Sequence, residues 1–144
     1  MEKNKIQKIV KTFRTNLPLY AKHCLKIINK QGKLIPFEFN EAQKLLDDMI
    51  NKQYAHHGRV RILILKSRQT GISTYCQARG FWKTATTENQ NAVVVSHLNE
   101  STKAIFGMVR NFYDNLPNPL VTPEIKEHTS SSMAFKHGSR WRVA

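Results

Sequence analysis

The sequence predicts an α/β fold with a parallel-sheet core, and three observations carry that prediction. Val60–Leu65 is an apolar run without alternation, as in a strand buried on both faces, and Ala92–Ser96 is a second such run. Each is followed by a stretch with helical periodicity. Between the first strand and its helix lies a short loop with one glycine, Lys66 to Gly71, and Ser73-Thr74 opens the helix. The order β, α, β, α implies parallel strands joined by right-handed crossovers.

The elements follow in chain order. Residues 3–14 place Ile6, Ile9, Val10 and Phe13 at helical spacing, with Lys5, Lys8, Lys11 and Arg14 on other faces. This is a basic amphipathic helix, either packed on the domain or serving as an arm toward DNA or a partner. Asn16-Leu17-Pro18 interrupts the pattern, and a second helical piece covers Leu19 to His23. Leu25–Ile28 and Lys33–Phe37 then read as a hairpin through Asn29–Gly32. The alternative is one helix over residues 19–30 stopped by Gly32.

Asn40 starts a helix of about four turns with Ala42, Leu45, Leu46, Met49 and Ile50 as its apolar stripe. His56-His57-Gly58 ends it. Adjacent histidines cannot both face one metal from one side of an element, so they are expected to be solvated. Ser73 to Ala85 is the helix after the loop, with Tyr75, Cys76, Ala78 and Trp82 available for packing. Asn99 is expected to cap a helix from Glu100 to Asn115 bearing Ala104, Ile105, Met108, Val109 and Phe112. Pro117-Asn118-Pro119 and Pro123 mark a loop. Met133–Lys136 and Ser139–Val143 pair as a hairpin through His137-Gly138.

Bulk properties narrow the function classes. At 144 residues the chain holds one domain's core, and no apolar run approaches the ~20 residues of a membrane span. Its start leads into no apolar stretch of a secretory signal. Cys24 and Cys76 lack metal-ligand spacing and are expected as reduced, buried thiols. Lys and Arg number 23 against 10 Asp and Glu, a net +13 that suits polyphosphate partners through a salt-sensitive attraction.

The loop is the chemically informative segment. Backbone N–H groups at a helix N-terminus point at an anion, and the helix dipole favours negative charge there. A hydroxyl just inside the helix, Ser73, can ligate Mg²⁺. Against the pattern G-x-x-x-x-G-K-[ST], Lys66 stands at the first glycine and Ile72 at the lysine. Lys66 and Arg68 put two cations into the loop instead, whereas the glycine and Ser73-Thr74 taken alone fit equally an ordinary strand-to-helix turn with a serine N-cap. Upstream, Asn40-x-x-Gln43 has two readings. It is a capping box, or Gln43 presents its amide to adenine with Phe37 and Phe39 packing on the base.

Lys66-Ser67-Arg68-Gln69-Thr70-Gly71-Ile72-Ser73-Thr74 resembles the deviant phosphate loop of the large terminase subunits of tailed bacteriophages, the motors that package DNA into procapsids. Leu25 to Phe37, Asn40 to Gln43, Val93 to Leu98, Leu116-Pro117 and Phe135 to Ala144 are similar to segments of the same family. The resemblance spans roughly residues 17 to 144. It implies a P-loop NTPase core with a RecA-like or terminase-like parallel sheet, here incomplete, preceded by a helical and hairpin adapter. The implied divisions are a basic N-terminal helix at 1–16, an adapter with the Q-like motif at 17–58, and a partial ATPase core at 59–144.

The resemblance also implies roles. Gly71, Ile72, Ser73 and Thr74 would supply backbone N–H groups, with Ser67, Gln69 and Thr70 completing the ATP-binding loop. Ser73 would ligate Mg²⁺, and Lys66 would reach the β- and γ-phosphates. Arg68 would act as an arginine finger in cis, and Gln43 would read adenine. Implied partners are double-stranded DNA, a terminase small subunit, the procapsid portal protein and further copies in a ring. The implied setting is the host bacterial cytoplasm, transiently at the portal. No four apolar residues end in Asp-Glu, the family's carboxylate signature, and the nuclease domain is missing. The chain is therefore expected to be the front part of a longer motor. Asp47-Asp48 reads as the solvent face of its helix. Two other readings stand beside this one: another P-loop nucleic-acid ATPase, helicase-like or for repair, and a non-catalytic basic DNA-binding module.

Overall fold

In the computed structural model, which describes residues 2–117, 119 and 121–144, Asn16 shows how local chemistry starts an element. Its side-chain oxygen accepts the Leu19 N–H at 3.0 Å and so caps α2 (Leu17–Cys24) directly after α1 (Glu2–Thr15). The interruption expected at Asn16–Pro18 is therefore a helix start, with Pro18 in the first turn where no N–H is needed. α1 lies on the domain. The Trp82 indole N–H donates to the Phe13 carbonyl at 2.7 Å, although Ile6 and Ile9 stay exposed.

β1 (Lys26–Ile28) and β2 (Leu34–Pro36) form the expected antiparallel hairpin, with Ile27 opposite Ile35. Asn29 closes the turn by accepting the N–H groups of Gln31 and Lys33. Then come α3 (Glu41–His57), ended by Gly58 in the left-handed region, and α4 (Ile72–Thr86). β3 (Asn91–Val94) and α5 (Asn99–Asp114) follow, with β4 (Ile125–His128), β5 (Ser132–Phe135) and β6 (Arg140–Val143) closing the chain. Aromatic packing joins the layers. Trp141 of β6 is fully buried, its ring 6.0 Å from that of Phe106 on α5. Phe112 of α5 lies between Phe37 and Phe81.

The α/β class holds, but a parallel P-loop core is not what the described residues form. The larger sheet runs β3-β6-β5-β4, and only β3 and β6 are parallel. Connection length explains this. The tight turn at His137-Gly138 forces β5 and β6 antiparallel, as does the short link between β4 and β5, whereas the long path through α5 permits a parallel pair. β4 was not anticipated; its burial carries no clean alternation.

The expected first strand is the largest correction. Residues 60–65 belong to no sheet, and Leu63 and Leu65 are fully exposed. Val60 and Ile62 pack on the core, but among the described residues no strand lies beside them to satisfy the backbone. Residues 92–96 do not form a doubly buried strand either. β3 is the sheet edge, with Val93 48 % and Val95 82 % exposed. On α3 only Leu46 and Ile50 of the predicted stripe are buried, while Leu45 and Met49 face outward. Asn99 does not cap α5: the cap position is Leu98, without a side-chain bond. Of the Pro117–Pro119 loop, Asn118 lies outside the described residues, as do Met1 of the N-terminal helix segment and Leu120.

Candidate functional site

Two left-handed residues shape the loop ahead of α4: Gln69 at φ 60° and Gly71 at φ 74°. Gly71 sits at the cap position and offers no side chain to the helix, so α4 begins without a side-chain cap. The first intrahelical bond runs from the Tyr75 N–H to the Gly71 carbonyl at 3.0 Å. The N–H groups of Ile72, Ser73 and Thr74 consequently have no helical acceptor, which is the donor arrangement an anion uses.

Lys66, Ser67, Arg68 and Gln69 are exposed, and Thr70 is half-buried. Neither Lys66 nor Arg68 forms an ion pair among the described residues. Ile72, at the position where the common pattern has lysine, is buried in the core at 7 % exposure. That position points inward here, which accounts for its apolar character. Lys66 leans over the first turns of α4 instead. It lines one groove with Ser73, and its charge pulls the Cys76 thiol pKa down against the stronger upward effect of burial. The Ser73 side chain is exposed and free for a cation or phosphate oxygen.

The rear of the loop is bolted to α3. The Asn40 side-chain amide donates to the Thr70 carbonyl at 3.0 Å, and the Gln43 amide donates to the Gly71 carbonyl at 2.8 Å. Gln43 also completes a capping box with Asn40, accepting its N–H at 2.9 Å. Of the two readings of Asn40-x-x-Gln43, the cap is therefore present. Gln43 is 2 % exposed, and its oxygen and one amide proton are engaged, which leaves one proton for anything else. The latch through Asn40 was not read from the sequence, because nothing local announces a contact 30 residues away.

A second bolt joins α3 to α4. The Asp47 carboxylate accepts the Tyr75 hydroxyl at 2.7 Å and Arg79 at 2.9 Å through one oxygen, and the Asn51 amide at 3.1 Å through the other. Asp47 is thus buried at 5 % exposure, not on the solvent face as expected; Asp48 occupies that face and pairs with Lys52. Burial, and then the bond to Asp47, push the Tyr75 hydroxyl pKa upward. Among the described residues no cluster of three or more His, Cys, Asp or Glu is placed to hold a metal. His56 and His57 are exposed, as expected. Cys24 is buried, but Cys76 is exposed, contrary to expectation.

Among the described residues, the front of α4 brings together three N–H groups without a helical acceptor, the Ser73 hydroxyl and Lys66, a set of groups suited to an anion, with Arg68 exposed in the same loop. No helix of the described residues is long and apolar enough to cross a membrane. No protein-family model matches the chain, and no curated protein is significantly similar to it.

Proposed function

We propose that the chain is the N-terminal ATP-binding portion of a phage DNA-packaging terminase large subunit, a motor that drives double-stranded DNA into procapsids. The observation that carries this reading is the uncapped start of α4 with Lys66 beside Ser73, in a loop whose two cations, Lys66 and Arg68, form no ion pair among the described residues. In it, the Ile72, Ser73 and Thr74 N–H groups bind the β-phosphate region, and Lys66 contacts the outer phosphates. Arg68 supplies charge where the transferred group becomes more anionic. Ser73 holds Mg²⁺, which neutralises phosphate charge when bound. Gln43 acts from behind by holding the loop, and any contact with adenine would use its one remaining amide proton. Ser67, Gln69 and Thr70 complete the cradle. A small subunit, the portal protein, other copies in a ring and a place at the portal in the host cytoplasm belong to the same proposal.

No run of four apolar residues in the sequence ends in Asp-Glu, so the expected activity of this chain is nucleotide binding without efficient turnover. The test is a thermal shift with Mg²⁺–ATP, which stabilises any protein that binds it in the folded state. A shift that Lys66→Ala and Arg68→Ala each diminish, with little change in the melting temperature without nucleotide, supports the reading. No shift at millimolar nucleotide overturns it.

The exposed basic face of α1, with Lys5, Lys8, Lys11 and Arg14, favours a second reading as a basic DNA-binding module. That reading predicts salt-dependent DNA binding with no response to nucleotide. Another P-loop nucleic-acid ATPase, helicase-like or for repair, shares the nucleotide response and differs in lacking any action on procapsids.

A further inference from the structure

The β1–β2 hairpin turns an apolar face outward. Ile28 and Leu34 stand opposite each other across the two strands, and both are exposed, at 63 % and 43 %. This face continues into a groove of about 290 Å³ between β1 and α5, walled by Ile27, Ile28, Met108 and Phe112. Thr74 is the one residue the groove takes from α4, and neither Lys66 nor Arg68 lines it. Apolar surface gathered in one place, rather than scattered singly, marks contact with another molecule.

Gly107 lies in the groove, and the fold gives no reason for it. It sits in the middle of α5, its φ is not in the left-handed region, and a Cβ added there would meet nothing within 4 Å. Neither backbone nor packing among the described residues requires glycine, although glycine is a poor residue for a helix interior. With Ala104 one turn earlier, it leaves α5 a bare stretch where a second helix can approach closely.

Charge and shape decide the occupant. From residue 25 to 37 the chain carries Lys26, Lys30 and Lys33 and no acidic residue. These lysines are exposed and form no ion pair among the described residues. A nucleic-acid backbone would use the cations and leave Ile28 and Leu34 in water, so a segment with its own apolar face fits better. A second copy offers α3, where Leu45 and Met49 are exposed, but Glu41 and Asp48 there already pair with Lys44 and Lys52. We propose that the outward face of the hairpin and the groove beside α5 seat an amphipathic helix of a partner protein, apolar on one face and flanked by carboxylates. Its apolar face covers Ile28 and Leu34 and crosses α5 at Gly107, and its acidic flank lies along the hairpin lysines.

The experiment is fluorescence anisotropy on the 144-residue chain, without nucleotide, using a labelled synthetic helix of about five turns with leucines on one face and glutamates beside them. The expected result is saturable binding that Gly107→Leu weakens at least about tenfold by filling the bare stretch. The melting temperature of that variant should be no lower than wild type, since leucine is the better helix former. Ile28→Ser, at an exposed position, should weaken binding in the same way. Lys26→Glu combined with Lys33→Glu should reverse the preference between this peptide and one with lysines in place of the glutamates. Three outcomes would overturn the proposal: no binding at millimolar peptide, equal binding of the lysine peptide to wild type, or self-association of the chain that Ile28→Ser abolishes. A DNA duplex that displaces the peptide and binds Gly107→Leu as well as wild type would also overturn it, in favour of nucleic acid.

Discussion

The Gln43 side-chain amide donates to the Gly71 carbonyl at 2.8 Å, while its oxygen accepts the Asn40 N–H at 2.9 Å. One side chain thus caps α3 and holds the backbone at the start of α4. The carbonyl it reaches also accepts the first helical bond of α4, from Tyr75. Loop conformation and the start of α3 are therefore coupled through this amide, alongside the Asn40 amide that donates to the Thr70 carbonyl.

Gln43→Glu separates these two jobs. The carboxylate can still accept the Asn40 N–H, but it has no proton for Gly71 and sets negative charge against its carbonyl. We expect α3 to stay helical by circular dichroism while amides of residues 68–72 exchange faster. Gln43→Ala loses both bonds and should cost about 1–3 kcal/mol in chemical denaturation. Equal loop exchange in wild type and Gln43→Glu would show that the latch does not order the loop.

Gly71 is required twice. Its φ of 74° is left-handed, and an added Cβ would lie 2.6 Å from the Gln43 amide nitrogen. Backbone strain alone costs about 1–2 kcal/mol for alanine. Gly71→Ala should exceed that by displacing Gln43, whereas Gly58→Ala, with the same φ sign and open space, should not. Comparing the two melting temperatures isolates the steric part.

The Asp47, Tyr75 and Arg79 cluster should behave as one unit. Asp47→Ala leaves Arg79, three-quarters buried, without its carboxylate, at a cost of about 2–4 kcal/mol. Tyr75→Phe removes one bond to a charged acceptor, about 1.5–3 kcal/mol. In a double-mutant cycle by urea denaturation the pair should fall short of the sum, because they share an interaction. Full additivity would mean that the hydrogen bond contributes nothing.

Alkaline pH should destabilise the fold through Cys24. Burial pushes its thiol up to about 11 from 9.0, so the folded state holds the proton more tightly than the unfolded chain does. That contribution is complete below the unfolded value and is lost as pH rises through the interval between the two. Tyr20 and Tyr75, also raised by burial, act in the same direction at still higher pH. Melting temperature should fall from pH 9 to 11 more steeply in wild type than in Cys24→Ala. Parallel curves would remove Cys24 from the account.

Local signals in the sequence were sufficient for most element starts and stops. Asn40 and Gly58 bound α3, Gly32 closes the first hairpin, and His137-Gly138 closes the last, because caps and turns depend on residues within a few positions. The glycine and Ser-Thr at the start of α4 were legible for the same reason. Residues 60–65 were not. Their composition matches a buried strand, but burial requires a neighbouring strand, and composition cannot say whether one is present. Asp47 was misplaced because its carboxylate is stabilised by Tyr75 and Arg79 on another helix.

By itself, then, the sequence determined most of the helices, the hairpins through Gly32 and Gly138, the basic loop before α4 and the α/β class, all of which follow from short-range hydrogen bonding and periodicity. Only the tertiary structure decided that the sheet is mostly antiparallel, that Gln43 and Asn40 grip the loop, and that an apolar stretch stands unpaired. Those outcomes depend on partners distant in the chain, and strand pairing and side-chain satisfaction are settled only when such partners meet.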